Sequence, residues 1–302
     1  MENNNLLDLD LEESRKKITH FIRKNTSDLG KQGAVIGLSG GIDSALVLKL
    51  CSEALGPENV IAIMLPERDS GAQHAIDAKK FADSLGVKLI YKKITSLLSL
   101  IGIYRLYPPT FFLKKSVIER FVRNKRKDLS SRLNKDMFLA NIEGGNDKEL
   151  SKGIAFYRIK HRIRSTILFY YSELNNYLYV GCANKSEWLT GFFVKYGDSI
   201  ADIMPIISLY KTQIFALSKY LKIPDYILEK APSPDLIPGL VDEEALGISY
   251  KKLDLILYCF EKGFSTDEII NISGATKEDI ERISLYTKKS DYLRKWPIML
   301  QL

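Results

Sequence analysis

The first third of the chain switches repeatedly between two hydrophobic periods. Leu11, Ile18, Phe21 and Ile22 recur at helical spacing, with Asp10 placed to cap, and predict a helix to about Asn25. Residues 33–38 (GAVIGL) form an apolar run long enough for a strand and too short for a helix. The run enters a glycine loop at residues 39–44, and the helical stretch SALVLKLCSEAL then ends near Gly56. Residues 60–65 predict a second strand, residues 72–85 a helix stopped by Gly86, and residues 87–94 a third strand. Strands of about six residues alternating with helices of about a dozen predict an α/β fold. In it, a doubly wound parallel sheet is flanked by helices, because crossover connections place helices on both faces.

After Ile94 the alternation stops. Residues 95–152 contain Pro108-Pro109, a basic run and the polar, glycine-rich stretch EGGNDKELSKG. The pattern resumes with a helix from 153 to about 175 and a strand at 177–181. Helices follow at 211–221, 249–261, 266–271 and 277–288. The chain therefore reads as one domain over residues 1–302, carrying a basic helical insertion at 95–152. No internal repeat is present.

Composition narrows the class. Of 302 residues, 45% are hydrophobic and 27% charged, which excludes a disordered chain. Cys51, Cys182 and Cys259 are odd in number and form no CxxC pair, so a reducing, cytoplasmic setting is expected. No apolar run reaches the ~18 residues of a membrane span, and the polar N-terminus lacks a signal-peptide core. The net charge of +7 is local. Residues 114–135 hold nine basic residues (Lys114, Lys115, Arg120, Arg123, Lys125, Arg126, Lys127, Arg132, Lys135) and two acidic ones, Glu119 and Asp128. That segment accounts for the whole excess, so it makes a local field suited to a polyanionic partner.

The stretch VIGLSGGIDSA, residues 35–45, carries candidate chemistry. A strand delivers the chain to Ser39. Gly40 and Gly41 permit a tight turn and close approach of a ligand to backbone N–H groups. The helix that follows aims its positive end at the same place, which makes an anion site. Ser39 and Ser44 add hydroxyl donors. Asp43 puts a carboxylate beside the anion, tolerable next to phosphates when a cation such as Mg²⁺ bridges them. The loop lacks the GK[ST] ending of a Walker A motif and is not GxGxxG. SGGIDS resembles instead the pyrophosphate-binding loop of the N-type ATP pyrophosphatases (PP-loop enzymes), which cleave ATP between its α and β phosphates.

A second signature decides among these. VGCANKSEWLTGFFVKYGDSIADIMPIISLYKTQ (180–213), APSPDL (231–236) and DEEALGISYKKLD (242–254) stand in the order found in the ammonia-dependent NAD⁺ synthetases, which the chain resembles over about residues 10–95 and 155–290. The resemblance implies an adenine nucleotide alpha hydrolase-like fold, a homodimer, and ATP, deamido-NAD⁺ and ammonia as substrates. The nicotinate carboxylate would attack the α-phosphate of ATP, giving an adenylated acid and pyrophosphate, and ammonia would then displace AMP. Residue by residue, it implies that Ser39, Gly40, Gly41, Ile42, Asp43, Ser44, Cys182, Lys211 and Ser233 contact ATP. Asp43 and Glu187 would be metal ligands, Asp43 and Lys211 the catalytic pair, and Arg162, Lys195 and Asp202 contacts to the acid. Met alone, Lys195 and Lys211 read as solvated surface lysines, Arg162 and Arg164 as a solvated helix face, and Asp202 as a turn cap.

Departures from the family pattern gather on the acid side. The family's GDGG is Gly197-Asp198-Ser199-Ile200 here, and the Thr before KYGD is Val194. Its NIKAR pattern has Arg158 and His161 in place of Asn and Ala. A His-Lys pair that touches the substrate is replaced by Tyr292 and Leu293. On the ATP side only Cys182 differs, standing for Thr. These changes keep open a PP-loop ligase acting on another carboxylic acid. An RNA-acting PP-loop enzyme using the basic segment also stays open, as does an external glutaminase supplying the ammonia. The RNA reading predicts affinity that falls steeply between about 50 and 200 mM salt. Negligible, salt-insensitive RNA binding in a filter assay removes it.

Overall fold

A computed structural model describes residues 6–107, 115–233, 240–295 and 297–300. Four strands, β1 Ala34–Gly37, β2 Val60–Met64, β3 Lys88–Tyr91 and β4 Leu178–Val180, form one parallel sheet in the order β3-β2-β1-β4. Ala34 of β1 is in register with Val60 on one side and Leu178 on the other. The expected doubly wound parallel sheet flanked by helices is what the chain forms.

Alternate residues of each strand serve opposite faces. Ala34, Ile36, Val60, Ala62, Met64, Leu178 and Val180 pack into one core. The helices on that side are α1 Leu11–Asp28, α2 Ile42–Leu55, α3 Ala72–Ser84, α9 Lys211–Tyr220 and α10 Asp225–Leu228. Val35, Ile61, Ile63 and Tyr179 face the opposite core. That core is closed by α4 Thr95–Leu100 and by the long helix α7 Lys148–Asn175. Helix α2 is buried almost all round, from Ile42 and Ala45 through Leu50 to Ala54, as befits a helix pressed between sheet, α1 and α9. A third core joins α8 Lys185–Thr190, α12 Tyr250–Lys262, α13 Thr266–Ser273 and α14 Lys277–Lys289. Helix α6 Met137–Glu143 packs on it, and α11 Asp242–Leu246 contributes Leu246.

Several boundaries move for identifiable reasons. Helix α2 starts at Ile42, so Asp43 lies inside its first turn. Helix α7 starts at Lys148 rather than 153, because the Asp147 side chain accepts from the Glu149 and Leu150 amides. Gly153, read from sequence as the helix start, is an interior residue of that helix.

The basic run forms helix α5 Lys115–Leu133; Lys114 and Pro108-Pro109 lie outside the described residues. Four of the nine basic residues of the run meet carboxylates of the chain. Lys125 meets Glu149 at 2.7 Å, Arg132 meets Asp147 at 2.9 Å, Lys135 meets Glu143 at 3.1 Å and Arg123 meets Glu244 at 3.6 Å. Leu129 packs with Ala140 and Leu150 in a small core of its own, while Val117 and Phe121 stay exposed. Among the described residues no helix is long and apolar enough to cross a membrane.

One buried ionic cluster ties α7 and the turn after α4 to the loop leaving β2. Lys160 of α7, fully buried, donates to Glu67 at 2.9 Å and Asp69 at 3.0 Å in the loop leaving β2. The Tyr104 hydroxyl, just after α4, donates to the second Glu67 oxygen at 2.8 Å. Arg68 pairs with Asp69 at 2.9 Å and lies over the Tyr104 ring. Removing the ammonium leaves buried carboxylates without compensation. Lys160→Met is expected to cost about 3–5 kcal/mol in urea unfolding, with a cost near zero showing that the cluster is dispensable.

Candidate active site

The sheet order reverses between β1 and β4, which is where open α/β sheets place ligands, beyond the carboxyl ends of the strands. The loop leaving β1 and the loop leaving β4 face one another there. Gly40 has φ +83°, and a Cβ on it would meet the His74 carbonyl oxygen at 2.6 Å, so only glycine fits. The Gly41 amide donates to Ser39 Oγ at 3.2 Å, Ser44 Oγ donates to the Gly41 carbonyl at 3.0 Å, and the two serine hydroxyls lie 3.1 Å apart. The loop is thus shaped by its own hydroxyls. Helix α2 has no side-chain cap at Gly41, so its first amides are left for a ligand.

Three distant residues converge on this loop. Asn184 opens α8 by a capping box with Glu187, and its side-chain amide donates to Asp43 Oδ1 at 2.9 Å. The Lys211 ammonium, at the start of α9, reaches Asp43 Oδ2 at 2.6 Å and Glu187 Oε1 at 3.4 Å. Only 1% of Lys211 is exposed, so it is no surface lysine. Its backbone is fixed as well. The Lys211 amide donates to Ser186 Oγ at 2.9 Å, and Ser186 and Thr212 both donate to the buried Asp254.

The charges are interdependent. Burial pushes the Glu187 carboxyl up to about 8, with Asp43 adding to the rise and Lys211 opposing it. Burial would lower the Lys211 ammonium, but Asp43 and Glu187 outweigh it and raise its pKa. Burial also raises Asp242, whose Oδ2 accepts from Tyr250 at 2.9 Å while Oδ1 has no partner among the described residues. Burial holds the Cys182 thiol well above its ordinary range, so it is neutral and no nucleophile.

One cavity collects most of the residues singled out from the sequence. Ser39, Gly41, Ile42, Asp43 and Ser44 line it from the β1 side, and Cys182, Glu187, Lys211 and Ser233 from the other. The second half of APSPDL lies outside the described residues. Arg162, Lys195 and Asp202 do not line the cavity. Arg162 Nε donates to the Lys195 carbonyl at 3.3 Å, and Lys195 Nζ to the Tyr292 carbonyl at 2.9 Å. Asp202 accepts from the Tyr179 amide at 2.7 Å at the end of β4. Helix rotation explains Arg162: the cavity stripe of α7 is Tyr157, His161, Arg164, Ser165 and Leu168, and Arg162 sits beside it. Arg164, Asp198, Lys230 and Asp242 also line the cavity and were not singled out. Asp198 and Asp242 lie within the ordered motifs, while nothing in the sequence set Arg164 or Lys230 apart.

The donor set suits a hard divalent cation. Two carboxylates, Asp43 and Glu187, already converge on one cationic group, Lys211. Among the described residues no group of three or more His, Cys, Asp or Glu could hold a metal. Two carboxylates completed by phosphate oxygens and water are a usual Mg²⁺ environment at nucleotide sites.

Fold and cavity define a doubly wound α/β protein with a glycine-loop pocket at the switch point of its sheet. The NAD synthase family model matches residues 14–106 and 124–297, leaving residues 107–123, with the first half of the basic helix, between its two parts. The ammonia-dependent NAD⁺ synthetase of Thermotoga maritima is 44% identical over 94% of this chain and 98% of its own. That of Methanocaldococcus jannaschii is 35% identical over 95% of this chain and 96% of its own. Among solved structures, an NMN synthetase from Francisella tularensis shares 25% identity at a TM-score of 0.72, covering 98% of this chain and 100% of that one. An ammonia-dependent NAD synthetase from Campylobacter jejuni shares 28% at 0.67, covering 97% and 100%. The chain belongs to the NAD synthase family and is a ligase of that family.

The raised Glu187 carboxyl has a measurable consequence. From about 4.5 to about 8 the folded protein keeps a proton that the unfolded chain has lost, so unfolding releases it and stability falls as pH rises. Asp254, raised by burial to about 6, contributes only to the lower part of that decline. Glu187→Gln is expected to flatten the upper part, above about pH 6, in urea titrations of the ligand-free protein. An unchanged slope there would contradict the burial of this carboxyl.

Proposed function

We propose that the chain is an ammonia-dependent, AMP-forming NAD⁺ synthetase. It joins ATP, deamido-NAD⁺ and ammonia into NAD⁺, AMP and pyrophosphate. The convergence of Asp43, Glu187 and Lys211 on an uncapped glycine loop supports this reading most strongly.

Ser39, Gly40, Gly41, Ile42 and Ser44 cradle the β- and γ-phosphates through backbone amides and hydroxyls. Ser233 and the backbone at Cys182 hold the nucleotide from the facing side. Asp43 and Glu187 would hold Mg²⁺, which when bound neutralises charge on the phosphates. Lys211 supplies a point charge to the phosphate oxygens, and its bond to Asp43 keeps it aimed at the loop. The acid's carboxylate oxygen bonds to the α-phosphorus as the bond to pyrophosphate breaks. Ammonia then attacks the carboxyl carbon, a proton leaves the nitrogen, and AMP departs with the bridging oxygen. The chemistry needs this activation because a carboxylate cannot expel oxide, whereas a mixed anhydride expels AMP. Arg162, Lys195 and Asp202 bind the acid in this reading. None of the three lines the cavity, so in this reading they meet the part of the acid remote from the reacting carboxylate.

We infer a homodimer from the resemblance to the family; Tyr170 and Leu174 of α7 and Leu100 and Ile101 by α4 are large exposed apolar residues that a second copy would cover. The free cysteines fit a cytoplasmic setting.

A specific observation favours a second acid. Tyr292 and Leu293 stand where the resemblance has a substrate-touching His-Lys pair. The Tyr292 hydroxyl donates to the Ile142 carbonyl at 2.8 Å, and Leu293 is buried. These positions hold α6 instead of reaching for a ligand. The mononucleotide acid whose amide is NMN would need fewer contacts there, and the Francisella tularensis neighbour is named for that product.

Asp43→Ala is expected to abolish pyrophosphate release that depends on deamido-NAD⁺, while the protein keeps its fold by circular dichroism. Release at the wild-type rate would sink the assigned role of Asp43. Wild-type turnover of the mononucleotide acid in place of deamido-NAD⁺ would favour the second reading.

A further inference from the structure

Lys230 follows α10 and leads into Ser233, and it lines the same cavity as the glycine loop. Its ammonium donates to the Gly40 carbonyl at 3.2 Å and to Asp77 of α3 at 2.5 Å. Among the described residues these are its two partners, leaving one of its three N–H donors unassigned. Asp77 is 5% exposed and also accepts from Gln73 at 2.8 Å. Burial works against its charge, but Lys230 and Gln73 outweigh burial and hold the carboxyl below its ordinary range. Lys230 therefore stands on an ionised support inside the nucleotide cavity.

The charge balance of the cavity gives this position a use. Lys211 is matched by two carboxylates, Asp43 and Glu187, so that cluster carries no positive excess for a polyphosphate. The first turn of α2 supplies partial charge only. Lys230 brings a second ammonium to the Gly40 side of the loop, paired with a single carboxylate, Asp77.

We propose that Lys230 is a second phosphate-contacting cation of this site, exchanging its bonds to the Gly40 carbonyl and Asp77 for the pyrophosphate half of ATP. As the bond between the α-phosphorus and the bridging oxygen breaks, negative charge builds on the departing pyrophosphate. Lys230 meets that charge through hydrogen bonds and takes part in no covalent step. The inference rests on the ATP-cleaving reading above.

Three variants test it: Lys230→Met, Lys230→Arg and Asp77→Asn. Lys230→Met is expected to slow substrate-dependent pyrophosphate release about a hundredfold. It should weaken product inhibition by pyrophosphate about tenfold, while KM for the acid changes less than about twofold. Lys230→Arg, which keeps the charge, should recover most of both losses. Asp77→Asn removes the competing carboxylate, so pyrophosphate inhibition should be unchanged or stronger. The inference is overturned if Lys230→Met leaves pyrophosphate inhibition at the wild-type value. It is also overturned if Asp77→Asn weakens inhibition as much as Lys230→Met does, since the pair would then be only a structural latch. Calorimetric titration of folded protein with pyrophosphate makes the same comparison without turnover, and melting curves identify any variant that does not fold. A wild-type protein with no substrate-dependent pyrophosphate release would reject the ATP reading, while the calorimetric comparison would still decide Lys230.

Discussion

The buried ammonium of Lys211 is the joint on which the site depends. It brings together residues 168 positions apart in sequence, Asp43 at the start of α2 and its own place at the start of α9. Glu187 adds the loop after β4, and Asn184 ties that loop to Asp43 a second time. A charge this deeply buried is tolerable only with partners in good geometry, so the three elements cannot drift independently. Burial raises the Glu187 and Asp242 carboxyls, and the neighbouring Asp43 adds to both rises. A cation arriving with phosphate favours their ionised forms.

The β1–loop–α2 unit was legible because everything it needs is contiguous: a period of two, two glycines, then a period of 3.6. The sheet followed from the same alternation. Glu187 and Lys211 were legible only through ordered motifs, since nothing local in NKSE or LYKTQ distinguishes a buried lysine from a solvated one. The rotation of α7 was not legible. Arg162 and Arg164 sit two residues apart, and about 200° of turn between them places one beside the cavity stripe and the other on it. Lys230 went unseen for a related reason, because its partners, Gly40 and Asp77, lie 190 and 153 residues away.

The +7 excess takes on a different meaning in three dimensions. It sits on a helix whose Arg123, Lys125 and Arg132, with Lys135 just beyond it, meet carboxylates of α6, α7, α11 and the Asp147 cap. Surface pairs of this kind contribute little each, about 0–1 kcal/mol, but together they set where α5 lies. The family model skips residues 107–123, which hold four of the nine basic residues, and its second part takes in the other five. The chemistry resides in the electrically balanced remainder.

The central claim is that the acid is activated by transfer of AMP to its carboxylate. Deamido-NAD⁺ labelled with ¹⁸O in both carboxyl oxygens, turned over with ATP and ammonia, tests it directly by mass spectrometry of the products. Transfer of AMP to the carboxylate leaves one ¹⁸O in AMP and one in the amide of NAD⁺. Unlabelled AMP, or ADP and phosphate in place of AMP and pyrophosphate, would contradict it.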